Sequence, residues 1–183
     1  RGVWVSNTPD VLTEATADLT WALILGVARR VREGERLIRE QEPWRWAPEF
    51  MLGKELHAST LGVVGLGRIG EAVCRRARGF GMRVLAHQRS EIDAEIQKSM
   101  PVEPVDLATL LQQSDVVSIH CPLTAETYRL FGKTQFQQMK DDAILINTAR
   151  GPIVDEEALA KALLSGEIGG AGLDVFEREP EVH

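Results

Sequence analysis

Cysteine is scarce in this 183-residue sequence, basic charge is outnumbered, and no long uncharged run occurs. Each shortage excludes something. The two cysteines, Cys74 and Cys121, lie far apart inside apolar segments, which suits reduced thiols in a cytoplasmic protein and not a secreted disulfide framework. The longest uncharged apolar stretch, Leu19 to Ala28, stops at Arg29 and falls well short of the ~20 residues of a membrane span. Lysine and arginine number 21 against 27 acids, a formal charge of -6. The arginines, among them Arg29, Arg30, Arg75, Arg76 and Arg78, are spread out rather than set on one stripe. Such a chain is a poor nucleic-acid binder, so any anionic partner must be held locally. A single core in a chain of this length buries roughly 70% of the unfolded surface, so no disulfide or metal staple is needed and no metal site is expected. The chain opens at Arg1 without Met or signal sequence and closes on Glu181-Val182-His183 with no evident closing element, the marks of a fragment.

What is present is an alternation. Short β-branched and aliphatic runs stand at Val3-Val5, Thr60-Val64, Arg83-Ala86, Val116-His120, Ala143-Asn147 and Ala171-Val175, each bounded by Gly, Pro, Asp or Asn. Ile69 to Phe80 has helical spacing and closes on Gly81, while Asp155 is placed to cap a helix over Glu156 to Ser165 ahead of Gly166. The pattern predicts an α/β domain, a doubly wound parallel sheet of Rossmann type. Thr13 to about Arg39 reads as one long helix with Thr13 as N-cap and an early face apolar almost all round, which must be buried. Gln41 to Leu56 follows as an irregular stretch bearing Trp44, Trp46 and Phe50. Two readings stay open for it, a plug at the base of the domain and an oligomer contact.

The strongest motif is Gly65-Leu66-Gly67-Arg68-Ile69-Gly70, set between the strand Leu61-Val64 and a helix. Gly65 permits the tight turn, Gly67 lets backbone N–H groups approach a pyrophosphate, Gly70 lets helix and strand pack closely, and the helix N-terminus supplies positive potential. An acid normally stands about 20 residues further on, where it takes the ribose hydroxyls of NAD. Here the position holds Gln88, followed by Arg89 and Ser90, with Glu91 left as an alternative acid. An Arg fork and a hydroxyl suit a 2′-phosphate, so NADP(H) is the expected cofactor and NAD(H) the alternative. Arg150, in Asn147-Thr148-Ala149-Arg150-Gly151, leaves a strand at the carboxyl edge where ligands bind, placed to grip a carboxylate and polarise a carbonyl. Asp174 and Glu179 sit just past the last strand. Asp174 is suited to accept from a carboxamide and Glu179 to orient a histidine acid.

These motifs, with Asn7-Thr8-Pro9, Thr13-Glu14-Ala15-Thr16-Ala17-Asp18, His120-Cys121-Pro122-Leu123-Thr124 and Gly172-Leu173-Asp174-Val175-Phe176-Glu177, together resemble the D-isomer-specific 2-hydroxyacid dehydrogenases nearly end to end. The Trp44-x-Trp46 stretch and the non-acidic Gln88-Arg89-Ser90 look most like the glyoxylate/hydroxypyruvate reductase branch, with 2-ketogluconate reductases close behind.

The resemblance implies that Arg150 binds the carboxylate and carbonyl of a small 2-keto or 2-hydroxy acid. It implies too that Glu179 raises the pKa of a histidine that protonates the carbonyl oxygen as hydride arrives. Arg68, Ile69, Pro122, Thr127, Thr148, Ala149 and Asp174 would line the cofactor. The family's histidine lies some thirty residues beyond the glutamate, outside this chain, and His57, His87, His120 and His183 do not match it. His120, at a strand end, reads as a packed histidine. Residues 1–7 would be the remnant of the substrate domain and 8–183 the dinucleotide-binding domain, dimeric through residues 13–56. Two other classes remain: a dinucleotide-sensing corepressor on the same scaffold, and an S-adenosylmethionine site in the Gly-rich turn.

Overall fold

The computed structural model describes residues 2–4, 6, 8 and 10–181. Six strands, β1 (Thr60–Val64), β2 (Arg83–His87), β3 (Val102–Pro104), β4 (Val116–Ile119), β5 (Ile144–Asn147) and β6 (Gly170–Leu173), form one sheet in the order β3-β2-β1-β4-β5-β6. Every pairing is parallel. Parallel neighbours require crossovers, and the helices supply them: α3 (Arg68–Ala77), α4 (Ala94–Ser99), α5 (Leu107–Gln113), α6 (Lys133–Phe136) and α7 (Glu156–Ser165). This is the doubly wound arrangement that the alternation predicts, with its strand order reversing between β1 and β4.

Both faces of the sheet are covered, so its strands alternate between two cores. Leu61, Val63, Val84, Ala86, Val116, Ile144 and Ile146 pack on one side, and Val64, Leu85, Val117, Ile119 and Leu145 on the other. The register puts Val64, His87, Ile119, Asn147 and Leu173 in one row. The residues that follow them, Gly65, Gln88, His120, Thr148 and Asp174, therefore emerge at one carboxyl edge. β3 is absent from the sequence reading because prolines stand at positions 101 and 104. Proline fits the edge of a sheet, which is where β3 lies.

The long helix expected over Thr13 to Arg39 is instead two helices, α1 (Thr13–Ala28) and α2 (Val31–Arg39). The returning chain is the reason. The Ala28 carbonyl, which a continuous helix would bond internally, accepts from the Lys54 amide at 2.7 Å, and Arg30 turns left-handed at φ 54°. Leu12 holds the N-cap position with no side-chain bond, so Thr13 is the first helical residue and not the cap. Burial divides the two pieces. α1 buries Ala17, Thr20, Trp21, Ile24 and Ala28, with Trp21 stacked on Phe80 at 4.4 Å, whereas α2 buries nothing. Trp44 and Trp46 are exposed, so they do not plug this domain. Asp155 does cap α7, accepting from the Ala158 amide at 3.0 Å, and Gly166 closes it at φ 73°.

Residues 2–4 carry no strand, while Val5, Asn7, Pro9 and His183 lie outside the described residues. Among the described residues no helix is long and apolar enough to cross a membrane. Cys74 and Cys121 are both free thiols.

Candidate functional site

The Gly-rich turn joins β1 to α3 at the point where the strand order reverses. Gly65 sits at φ 96°, and a Cβ there would come 2.6 Å from the Cys121 amide nitrogen. Gly70 packs against the Gly65 carbonyl, which any Cβ would strike. These two glycines are demanded by the protein's own atoms. Gly67 differs, because no protein atom lies within 4 Å of a Cβ placed on it. Its open side faces a cleft. Gly67 is also the N-cap of α3 without a side-chain bond, so the first-turn amides are free to meet an anion. Arg68 pairs with Asp10 at 2.9 Å beside this turn.

The cleft holds about 650 Å3, within the ~300–1,000 Å3 usual for ligand sites. Gly65, Leu66 and Gly67 form its floor, and Gln88, Arg89 and Ser90 one end. The Gln88 amide donates to the Glu91 carbonyl at 3.1 Å, which folds the loop so that Glu91 itself is not in the wall. Glu126 faces the same space. A hydrogen bond from Thr124 chiefly, and the charge of Arg89 in part, hold its carboxyl below the usual range. The Thr127 hydroxyl donates to the Pro122 carbonyl and accepts from the Thr124 amide, both at 2.7 Å, fixing the opposite wall.

His120 and Cys121 sit where this cleft meets a second one of about 390 Å3, lined by Ile69, Thr148, Ala149 and Arg150. The His120 Nε2 and the Ser118 hydroxyl share a hydrogen bond at 2.8 Å. Burial pushes the ring's pKa down to about 4, so the imidazole is neutral at pH 7. Thr148 lines the second cleft, but its hydroxyl is turned into the core. Thr20 donates to the Thr16 carbonyl, so Thr148 is the donor across 3.0 Å to Thr20.

Arg150 is exposed at the far end of the second cleft, its Nη1 donating to the Ala149 carbonyl at 2.6 Å. Buried Asn147 shapes this loop. Its side chain donates to the Arg150 carbonyl and accepts from the Ala149 amide, each at 3.0 Å. Asp174 is exposed and tied through its amide to the Asn147 carbonyl at 3.0 Å. Glu179 accepts from the Phe176 amide at 2.9 Å and so closes its own turn. That turn lies directly on the Arg150 loop, since a Cβ on Gly151 would run into the Phe176 carbonyl. Arg150 and the Glu179 turn, 29 positions apart in the sequence, are thus brought together.

Sequence reasoning missed two members of this site: Asn147 is recognisable only through its burial and Glu126 only through the folding of its loop onto the cleft. His120 is packed, as its place at a strand end suggests, and borders both clefts. Among the described residues no group of three or more His, Cys, Asp or Glu side chains is placed to hold a metal ion.

The chain matches the family model "D-isomer specific 2-hydroxyacid dehydrogenase, NAD binding domain" over residues 21–183. A glyoxylate reductase of Korarchaeum cryptofilum is 53% identical over 98% of this chain and 54% of its own length. The TT0316 protein of Thermus thermophilus superimposes with a TM-score of 0.92 at 52% identity, over the whole of this chain and 56% of that one. A D-isomer specific 2-hydroxyacid dehydrogenase of Lactobacillus delbrueckii, solved as its NAD complexed form, gives a TM-score of 0.85 at 34% identity, over 94% of this chain and 52% of that one. The chain spans about half the length of the curated relatives it matches.

Proposed function

Because the chain belongs to the D-isomer specific 2-hydroxyacid dehydrogenase family, we propose that it is the dinucleotide-binding domain of a glyoxylate/hydroxypyruvate-type reductase that converts a small 2-keto acid to its D-2-hydroxy acid. The observation that carries this reading is the continuous pair of clefts running from Arg89 past Gly67 to Arg150. An elongated ligand with an anionic middle and a reactive end suits that shape. Residues 8–183 would form this domain and residues 1–7 the tail of a substrate domain. A dinucleotide, when bound, supplies hydride at its nicotinamide. The α3 amides and Gly67 hold the pyrophosphate, Arg89 and Ser90 the adenosine end, and Ile69, Pro122, Thr127, Ala149 and Asp174 the remainder.

At the reactive end Arg150 grips the carboxylate with its planar fork and draws charge toward the carbonyl oxygen as it develops. Glu179 orients a histidine proton donor supplied from outside residues 1–183. Burial holds the His120 ring neutral at pH 7, so it offers no imidazolium proton for that role.

The preferred cofactor in this reading is NADPH, because the wall at the end of β2 offers Arg89 and Ser90 and no carboxylate. One observation favours NADH instead, since Glu126 faces the same cleft and a carboxylate there would repel a 2′-phosphate. The protein is proposed to be cytoplasmic, in keeping with its free thiols, and a homodimer through residues 13–56. Assaying the full-length protein on glyoxylate and hydroxypyruvate with each cofactor tests the reading. Oxidation of NADPH in preference to NADH is expected. No oxidation of either with any 2-keto acid would sink it, in favour of a dinucleotide-sensing protein.

A further inference from the structure

Three segments meet beside the Arg150 loop: the wall that follows β4, the turn that follows Arg150, and the turn that ends in Glu179. Arg129 touches all three. Its backbone is left-handed at φ 48°, an uncommon state for a non-glycine residue that persists only where its surroundings enforce it. Its amide donates to the Pro152 carbonyl at 2.8 Å. Two further bonds, Phe131 amide to Ile153 carbonyl at 3.1 Å and Asp155 amide to Phe131 carbonyl at 2.9 Å, continue that pairing along the chain just past Arg150. The guanidinium then reaches the third segment. Nε and Nη2 converge on one oxygen of Glu177 at 2.9 and 2.6 Å, and Nη1 lies 3.3 Å from Asp155. Glu177 is the well-sheltered partner, its side chain 14% exposed, and its own amide is held by the Glu156 carboxylate.

We propose that Arg129 is a positioning residue, which by gripping Glu177 holds the turn carrying Glu179 against the loop carrying Arg150. The inference rests on the roles given to Arg150 and Glu179 above. Glu177 and Glu179 share one short turn, closed by the bond from the Phe176 amide to Glu179. A shift of Glu177 therefore moves Glu179. The contact between that turn and Gly151 is backbone against backbone, and on the α7 side the Glu156 carboxylate holds only the Glu177 amide, which leaves the Glu177 side chain to be fixed from elsewhere. Arg129 supplies the lock from the far side. The Arg129 guanidinium is partly open to solvent, which screens the pair and keeps its contribution to global stability small, so its effect should appear in geometry rather than in melting.

The test uses the full-length protein as wild type, Arg129→Met, Arg129→Lys, Glu177→Gln and the exchange Arg129→Glu/Glu177→Arg. The readouts are glyoxylate reduction, dinucleotide Kd, Tm, and amide hydrogen exchange over residues 175–181. Arg129→Met is expected to lower kcat by ~10–100-fold, the cost of misplaced catalytic groups, with Kd and Tm nearly unchanged. The Phe176 and Glu177 amides should exchange faster, and Arg129→Lys and the exchange variant should recover part of kcat. Wild-type kcat in Arg129→Met, or unchanged exchange at Phe176 and Glu177, overturns the proposal. So does a loss of kcat matched by a loss of dinucleotide affinity. If Arg129→Met does not fold, Glu177→Gln carries the same comparison. If the wild type reduces no 2-keto acid, the proposed function fails, and hydrogen exchange alone still decides whether Arg129 holds the turn.

Discussion

Arg89 and His120 stand in one cleft wall, yet their charges are set by opposite circumstances. Arg89 is exposed and always charged, so its value depends on what anion arrives. Removing a charged donor from a phosphate forfeits ~1.5–3 kcal/mol. Arg89→Ala should therefore weaken NADPH by ~10–100-fold and NADH far less, as measured by titration calorimetry. Equal losses for both would show that Arg89 does not face a 2′-phosphate. His120 is half-buried and kept neutral by burial, its pKa falling from 6.5 to about 4. The unfolded chain thus takes up a proton below pH 6.5 that the folded chain refuses until near pH 4, so this residue makes stability fall as pH drops through that window. At most about 3 kcal/mol is involved. His120→Gln should flatten the fall in Tm between pH 6.5 and 4, and an unaltered slope would contradict the burial argument. Arg89 was legible from its place after the second strand. The state of His120 was not, because it depends on three-dimensional neighbours.

The Gly-rich turn shows how one element divides between fold and ligand. A Cβ on Gly70 meets the Gly65 carbonyl, whereas one on Gly67 meets nothing. Gly70→Ala should cost about 1–3 kcal/mol of stability by forcing helix from strand. Gly67→Ala should leave Tm close to wild type while raising the dinucleotide Kd about tenfold or more, since its methyl would occupy the pyrophosphate's approach. Thermal melts and dinucleotide titration on both variants separate the cases, and a large Tm loss in Gly67→Ala would refute the division. The glycine spacing was readable from sequence alone. The break between α1 and α2 was not, since Lys54, 26 residues past Ala28 in the sequence, ends the first helix by taking the Ala28 carbonyl.

Across the whole molecule, large exposed apolar side chains fall mainly in two stretches, residues 3–12 and the segment around α2. Ile38 is 76% exposed and Trp46 81%, with Val31, Trp44 and Leu52 also open to solvent. A monomer rarely leaves so much large apolar surface in one stretch, and tryptophan is enriched at interfaces. The full-length protein should sediment as a dimer. Ile38→Glu with Trp46→Glu should shift it toward monomer without changing dinucleotide Kd, because the cleft lies at the other end of the strands. A monomeric wild type would show that this surface is not self-complementary.

The sequence by itself determined the α/β alternation, the Gly-rich turn, the cap of α7 and the place of Arg150 just past the carboxyl end of a strand, because each depends on neighbours a few residues away: strand period, left-handed glycine, carboxylate on amide. Only the tertiary structure decided where α1 stops, that β3 exists at the edge despite its prolines, that Thr148 turns into the core, and that the Glu179 turn rests on Gly151 beneath the grip of Arg129. Those features arise from contacts between segments distant along the chain, where the energy of a close approach or a buried hydrogen bond overrides local preference, and no local pattern records them.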